Sequence, residues 1–527
     1  MNGNRQSARR ALLASVVVAL LAAACGTDSG SGSESAAPRD TLNMPLLYTF
    51  NPDPDVFFDL EGVSVTAALY EGLVREKPDT AEIEPWLAES WEVSPDGTTY
   101  TFTLRDDITF ADGTTIDSTV VKESFERRTA VESSPAYMLA EVESYETPDD
   151  TTFVVNLTAP VNNFMQRMAA PWGPRVTNPA LLEENSIDGD MAQEWLKTNS
   201  AGSGPYTISE WVPDERVVLS RNESYWGDAP EFDQAVFRVI PDLNTQRLEL
   251  EQGKLDLMQG LPPDAAEQLT DTEGVEVVKV PGINKSIVQV NVTKAPFDEP
   301  AVRQALMAAI PYEQLVDDVW GDYATPPTQL PPKGIMPEQF ATFAPELNAE
   351  AFTEATENVD KSEPLVVEYV QFDVTSTSRV TDYIVELLRT AGFDAQSRAV
   401  PVADYFGYIG APDLAPNLTV STQPADGTHP DNWFRLFLYS AGSLNVGGAG
   451  LPETDALMDQ AIATPPGDDE AVNELYSQAS DILRDDGQLI PIADVPVVWA
   501  TSGAVQGVPS FFAVPQAVWI SQLERTS

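Results

Sequence analysis

The sequence predicts an α/β body of two or three domains behind an export signal. Three observations carry that expectation. Hydrophobic residues make up 43% of the 527-residue chain and it holds 10 Trp, enough for real cores. A strand–helix–strand rhythm appears twice, over residues 235–258 and again over 365–400. The first 25 residues have the basic start, apolar middle and small-residue end of a targeting segment.

Taken in order, Arg5, Arg9 and Arg10 precede an uncharged apolar run over residues 11–24. That run is too short for a comfortable transmembrane span of roughly 20 residues. Leu21-Ala-Ala-Ala-Cys25 then places the only cysteine where cleavage before it and lipidation of its sulfur are expected. A plain signal peptide that discards Cys25 is the alternative. A lone cysteine excludes an intramolecular disulfide. Residues 26–39, rich in Gly, Ser and Ala, read as a flexible tether. The formal charge of −52 lies in the body, because residues 1–25 hold three arginines and no acid. So acidic a surface repels nucleic acid and anionic headgroups, and no nucleic-acid partner is expected.

Within the body, residues 41–50 read as a first strand and 63–74 as a helix ending near Gly72. Thr99-Tyr-Thr-Phe-Thr-Leu104 alternates apolar and polar, the pattern of a half-buried strand. Residues 118–127 and 244–252 read as helices, the second stopped by Gly253. Val302, Ala305, Leu306 and Ala309 recur at helical spacing after Pro300. Residues 338–363 suggest an acidic surface helix pair. Residues 365–370, 379–390 and 395–400 form a strand, an amphipathic helix and a strand. Residues 422–434, with Gly and two prolines, read as a loop. It carries the only histidine, His429, between Asp426 and Asp431, with Trp433 just beyond.

Several stretches, each weak alone, occur together in order. They are Leu69-Tyr-Glu-Gly-Leu-Val74, Leu87-Ala-Glu-Ser-Trp-Glu-Val-Ser-Pro-Asp-Gly97, Tyr100-Thr-Phe-Thr-Leu-Arg-Asp106, Phe110-Ala-Asp-Gly-Thr114 and Gly202-Ser-Gly-Pro-Tyr206. Arg221-Asn-Glu-Ser-Tyr-Trp-Gly227, Gly253-Lys-Leu-Asp256, Pro296-Phe-Asp-Glu-Pro-Ala-Val-Arg-Gln-Ala305 and Asp431-Asn-Trp433 come after them. With them the chain resembles the extracytoplasmic solute-binding proteins, family 5, of dipeptide and oligopeptide ABC transporters. The resemblance implies a two-lobed periplasmic-binding-protein fold, type II, peptide-binding class, with an extra domain inserted in the first lobe. Lobe I would take residues 40–80, 204–297 and 498–527, the inserted domain 81–203 and lobe II 298–497.

The resemblance also implies that Asp426 holds a peptide's α-ammonium, since it lies five residues before Asp431. A buried ammonium needs such a partner. Gln259, Asn284, Trp433 and Trp499 match cleft-lining positions, and His429 is either a ligand contact or a loop-holding hydrogen bond. Aromatic positions of the better-known peptide binders are taken here by Gln423, Val402 and Ile287, and no arginine stands out as a carboxylate clamp. The implied partners are a small peptide, ABC permease subunits and, through Cys25, the cell membrane, with the protein itself a monomer. An oligosaccharide, a nickel chelate or haem is the alternative ligand, and a sensor the alternative role. With one histidine and one cysteine, neither a Cys/His metal site nor a catalytic triad without His429 is available. No enzyme, metal site or cofactor is expected. Gly447-Gly-Ala-Gly450 follows no convincing strand and reads as a loop.

Overall fold

Three antiparallel or mixed sheets with separate cores, and a small three-stranded one, organise the chain. A computed structural model describes residues 40–280, 282–340, 342–371 and 374–526. The signal and tether expected over residues 1–39, with Cys25, lie outside those residues.

In lobe I, Thr41–Leu46 runs parallel to Gln234–Val239, which continues antiparallel through Arg216–Arg221 to Tyr206–Val212. Beside it Val497–Ser502 lies between Leu257–Met258 and Val275–Val280. The inserted domain is a sheet in the order Ala88–Val93, Thr99–Leu104, Thr152–Leu157, Val142–Asp149. Tyr100, Phe102 and Leu104 all point inward, as their alternation requires, and pack with Val121 and Phe125 of the helix Ser118–Val131.

Lobe II is a five-stranded sheet in the order Ala395–Val400, Leu365–Val370, Leu418–Gln423, Lys285–Val290, Leu489–Asp494. The first three run parallel, and Lys285–Val290 runs antiparallel to both of its neighbours. One face, with Val288, Val367 and Val420, packs on helices Pro300–Ala309, Tyr312–Trp320 and Val374–Thr390. The other face, with Ile287 and Leu489, packs on Asp431–Phe437 and Asp469–Asp486.

Pairing of Lys285–Val290 with lobe II strands moves a boundary. The chain enters lobe II between Val280 and Lys285, not at residue 298, and returns between Asp494 and Val497. At the crossing the buried Lys285 ammonium bonds Asp494 at 2.9 Å and the Gln329 carbonyl at 2.9 Å. Two further differences concern local structure. Among the described residues, 338–363 hold only a 3-10 turn, Glu338–Phe340, and a short helix, Ala351–Ala355, rather than a helix pair. Residues 422–434 are a loop only in their middle, because Leu418–Gln423 is a strand and Asp431–Phe437 a helix.

The recurring motifs knit the frame. Buried Glu71 accepts hydrogen bonds from Ser203 Oγ (2.6 Å), Tyr225 OH (2.9 Å) and Trp226 Nε1 (2.9 Å), joining three motifs at one carboxyl. Gly202 and Gly204 press on the helix Val63–Leu69. A Cβ at either would sit 2.0 Å from the Leu69 carbonyl oxygen or 2.3 Å from that of Ala68. Asp256 accepts from the Asn43 backbone (2.7 Å) and Ser502 Oγ (3.2 Å), tying the two lobe I sheets. Arg303 donates to the carbonyls of Phe297 (2.8 Å) and Asp486 (2.8 Å), pinning the helix Pro300–Ala309 to the end of Asp469–Asp486.

Candidate functional site

Strand Leu418–Gln423 lies in the centre of the lobe II sheet, so the loop after it starts from a rigid support. That loop carries Asp426, and helix Asp431–Phe437 closes it. Asp431 holds the closure. It accepts from Tyr476 OH at 2.7 Å and from Arg435 Nε at 3.0 Å, and its own N–H donates to His429 Nδ1 at 3.1 Å.

Asp426 has no such bracing role. It is half-buried, and its Oδ2 accepts from Tyr137 OH of the inserted domain at 3.3 Å. Burial pushes its carboxyl up to about 6, only partly offset by the Tyr137 bond. Among the described residues no lysine, arginine or histidine forms an ion pair with it. A carboxylate desolvated without a cation is poised to take one.

The facing wall comes from lobe I. Residues 47–61 are folded on themselves: Glu61 accepts from the Leu47 N–H, and Asp59 from the Glu61 and Gly62 N–H groups at 2.9 and 3.2 Å. Two buried arginines hold this segment to the inserted domain. Arg127 pairs with Asp53 at 2.8 Å. Arg128 Nε reaches Asp55 at 3.0 Å, and its other nitrogens reach the carbonyls of Trp172 and Pro54. That fastening presents Phe58, edge-on to Tyr137 at 6.1 Å and 5.1 Å from Trp172. Tyr48 and Tyr137 stay 49% and 41% exposed, yet surrounding protein raises both phenols, desolvation being the main cause. Solvent reach combined with desolvation is what a concave wall produces. Burial likewise raises Asp59, and raises Glu61 to about 7. The aromatic row Phe58–Tyr137 therefore runs from an acidic lobe I segment to Asp426.

The remaining expected residues separate. Trp433 is fully buried in the core between the lobes, 4.4 Å from Phe437, with its indole nitrogen unpartnered among the described residues. Asn284 lies at the crossing, buried, and accepts from Gln516 Nε2 at 3.3 Å. Gln259 comes just after the strand Leu257–Met258, with its Oε1 unpartnered among the described residues. Trp499 packs in the lobe I core and donates its indole N–H to the Pro515 carbonyl at 3.0 Å. His429 has no free nitrogen: one ring nitrogen is engaged by the Asp431 N–H and the other by Asn162 Oδ1 at 3.0 Å. Burial pushes its imidazole down to about 4. Tyr137, Tyr48 and Phe58 are not picked out by sequence reasoning. Tyr48 falls inside the expected first strand over 41–50, and Phe58 and Tyr137 lie in segments with no period of their own.

Two lobes joined by paired crossings, with Asp426 and the aromatic row Phe58–Tyr137 meeting between them, have the architecture of the two-lobed binding-protein class. The chain belongs to the bacterial extracellular solute-binding proteins, family 5, whose middle-region model matches residues 82–445. Members are the binding receptors of ABC transporters. The chain is 32% identical over 292 residues to the probable D,D-dipeptide-binding periplasmic protein DdpA of Escherichia coli K12, covering 54% of this chain and 56% of that one. It thus spans just over half the length of that relative. It is 27% identical over 483 residues to the glutathione-binding protein GsiB of Salmonella paratyphi A, covering 86% and 89%. The solved structure of Helicobacter pylori DppA in complex with the peptide STSA superposes with a TM-score of 0.78 at 21% identity, covering 92% of this chain and 98% of that one. Among the described residues no helix is long and apolar enough to cross a membrane, and no group of His, Cys, Asp and Glu is arranged to hold a metal ion.

Proposed function

We propose that this protein binds di- or oligopeptides between its lobes and delivers them to ABC permease subunits, held at the cell membrane by a lipid on Cys25. The peptide's α-ammonium sits on Asp426. One observation carries this reading: a half-buried carboxylate, raised to about 6, faces an aromatic wall and has no cation among the described residues. An ammonium placed there restores the carboxylate's charge and supplies the missing hydrogen-bond donor, the stronger, charge-assisted kind. Relatives named for D,D-dipeptides and glutathione are in keeping with a ligand that bears an amine beside an amide. Gln259 and Asn284 offer polar atoms toward the main chain, while Trp433 and Trp499, both buried in cores, support the cleft from behind. The protein acts as a monomer without a cofactor. A metal-chelate ligand is less well served, because the only histidine already uses both nitrogens.

The test is mass spectrometry of whatever co-purifies with the protein from its native cells. Peptides with free amino termini are expected. A sugar, or a ligand without an amine, would end the peptide reading and leave the fold untouched.

A further inference from the structure

We propose that Asn162 and His429 form a latch that holds the two lobes closed and links closure to the loop carrying Asp426. Asn162 belongs to the inserted domain, just before the helix Phe164–Ala169. Three of its polar groups reach lobe II. Its backbone N–H donates to the Ile462 carbonyl at 2.8 Å, its Nδ2 to the Thr464 carbonyl at 3.1 Å, and its Oδ1 meets His429 Nε2 at 3.0 Å.

The chemistry of each contact fits closure. Ile462 ends the helix Pro452–Ile462, and the last carbonyls of a helix have no partner within it. Asn162 supplies partners from the opposite domain. His429 is set to donate, because its Nδ1 already accepts the Asp431 N–H, which leaves the proton on Nε2. Asn162 and His429 are both buried, so separating the lobes would expose all three bonds to water. A turn of the inserted domain leans on the same lobe II segment. Gly97 has φ +70°, and a Cβ there would lie 2.6 Å from Pro466 Cδ.

The coupling lies in the loop. Asp426 and His429 are three residues apart between the strand Leu418–Gln423 and the helix Asp431–Phe437. Tyr137 meets the first and Asn162 the second, both from the inserted domain. Ligand at one end of the loop and latch at the other therefore share one rigid support. A cavity of about 480 Å³ lies beside the latch, lined by Asn162, Gln166, Gln329 and His429 but not by Asp426 or Tyr137. The latch thus borders a space separate from the Asp426–Tyr137 contact.

The latch does not depend on what the ligand is, and the experiment keeps the two apart. Small-angle X-ray scattering on ligand-stripped protein compares wild type, Asn162→Ala and Asn162→Asp. Asn162→Asp keeps the acceptor for His429 and loses the donor to Thr464. The radius of gyration is expected to be largest for Asn162→Ala, intermediate for Asn162→Asp and smallest for wild type, with equal melting temperatures showing that all three are folded. Stopped-flow binding of trialanine is the second readout: Asn162→Ala should release it at least tenfold faster with an unchanged association rate. Identical scattering for the three folded proteins would overturn the latch, as would an unchanged release rate. If Asn162→Ala does not fold, Asn162→Asp decides by the same two readouts. Failure of trialanine to bind wild type counts against the peptide reading, and the scattering then decides the latch alone.

Discussion

Replacing Asp426 by Asn separates binding from stability in opposite directions. Burial raises this carboxyl from 3.8 to about 6, so in the ligand-free protein its ionised form is disfavoured. Fully sealed, that rise would correspond to roughly 3 kcal/mol at about 1.36 kcal/mol per tenfold change. Solvent reaches one side of the half-buried group, and about 1–2 kcal/mol is the reasonable remainder. The sign comes from proton linkage. A carboxyl raised in the folded state is harmless below its unfolded value and destabilises increasingly as pH climbs through the folded value. Asp426→Asn should therefore melt a few degrees higher than wild type at pH 7.5, with the difference closing between pH 6 and pH 4. Peptide affinity should move the other way. An ammonium left without its partner in a partly buried site forfeits about 2–4 kcal/mol, roughly 30- to 1,000-fold. Calorimetric melting across pH and titration with a free-amine peptide measure both. A melting temperature that falls at pH 7.5, or an affinity unchanged within threefold, would refute the reasoning.

Other substitutions probe the frame. Arg128→Met removes the two bonds, to Asp55 and the Pro54 carbonyl, that fasten residues 51–61 to the inserted domain and a third, to the Trp172 carbonyl, within it; Asp55 is left with less compensation, so about 3–5 kcal/mol of stability should go, read by chemical denaturation. Glu71→Ala strands the donors of Ser203, Tyr225 and Trp226 in a buried site, and about 2–5 kcal/mol should be lost in the same assay. Lys285→Met leaves Asp494 at the lobe crossing without its ammonium, so a similar loss is expected, largely recovered by adding Asp494→Leu. Tyr137→Phe removes one hydrogen bond to Asp426 and should weaken peptide binding by about three- to tenfold in titration, with little change in melting temperature.

Sequence is legible here where periodic patterns exist. Thr99–Leu104 alternates because one face is buried, and Ala395–Val400 and Pro300–Ala309 appear where their patterns fall. Lys285–Val290 gives no sign of its lobe because it is buried on both faces, which erases the period of two. Helix Asp431–Phe437 is hidden by its short length and by Pro430, a residue that marks turns as readily as helix starts. Asp426 is singled out by family spacing together with the need of an ammonium for a counter-charge, and the structure adds its burial and its lack of a cation among the described residues. Its partner Tyr137 is not, since it lies 289 residues away on a six-residue 3-10 helix with no pattern of its own. His429 stands out as the only histidine. Its role becomes readable only with both nitrogens in view, one engaged within its own loop and the other across the lobes.

The most direct test of the central claim is a matched pair of titrations. The peptide that co-purifies with the protein, and the same peptide acetylated at its amino terminus, are titrated calorimetrically into stripped wild-type protein at pH 7.5. Acetylation removes the positive charge and leaves the side chains intact. An ammonium held by Asp426 predicts that acetylation weakens binding at least 30-fold and that Asp426→Asn no longer distinguishes the two peptides. Equal affinity of wild type for both forms would contradict it.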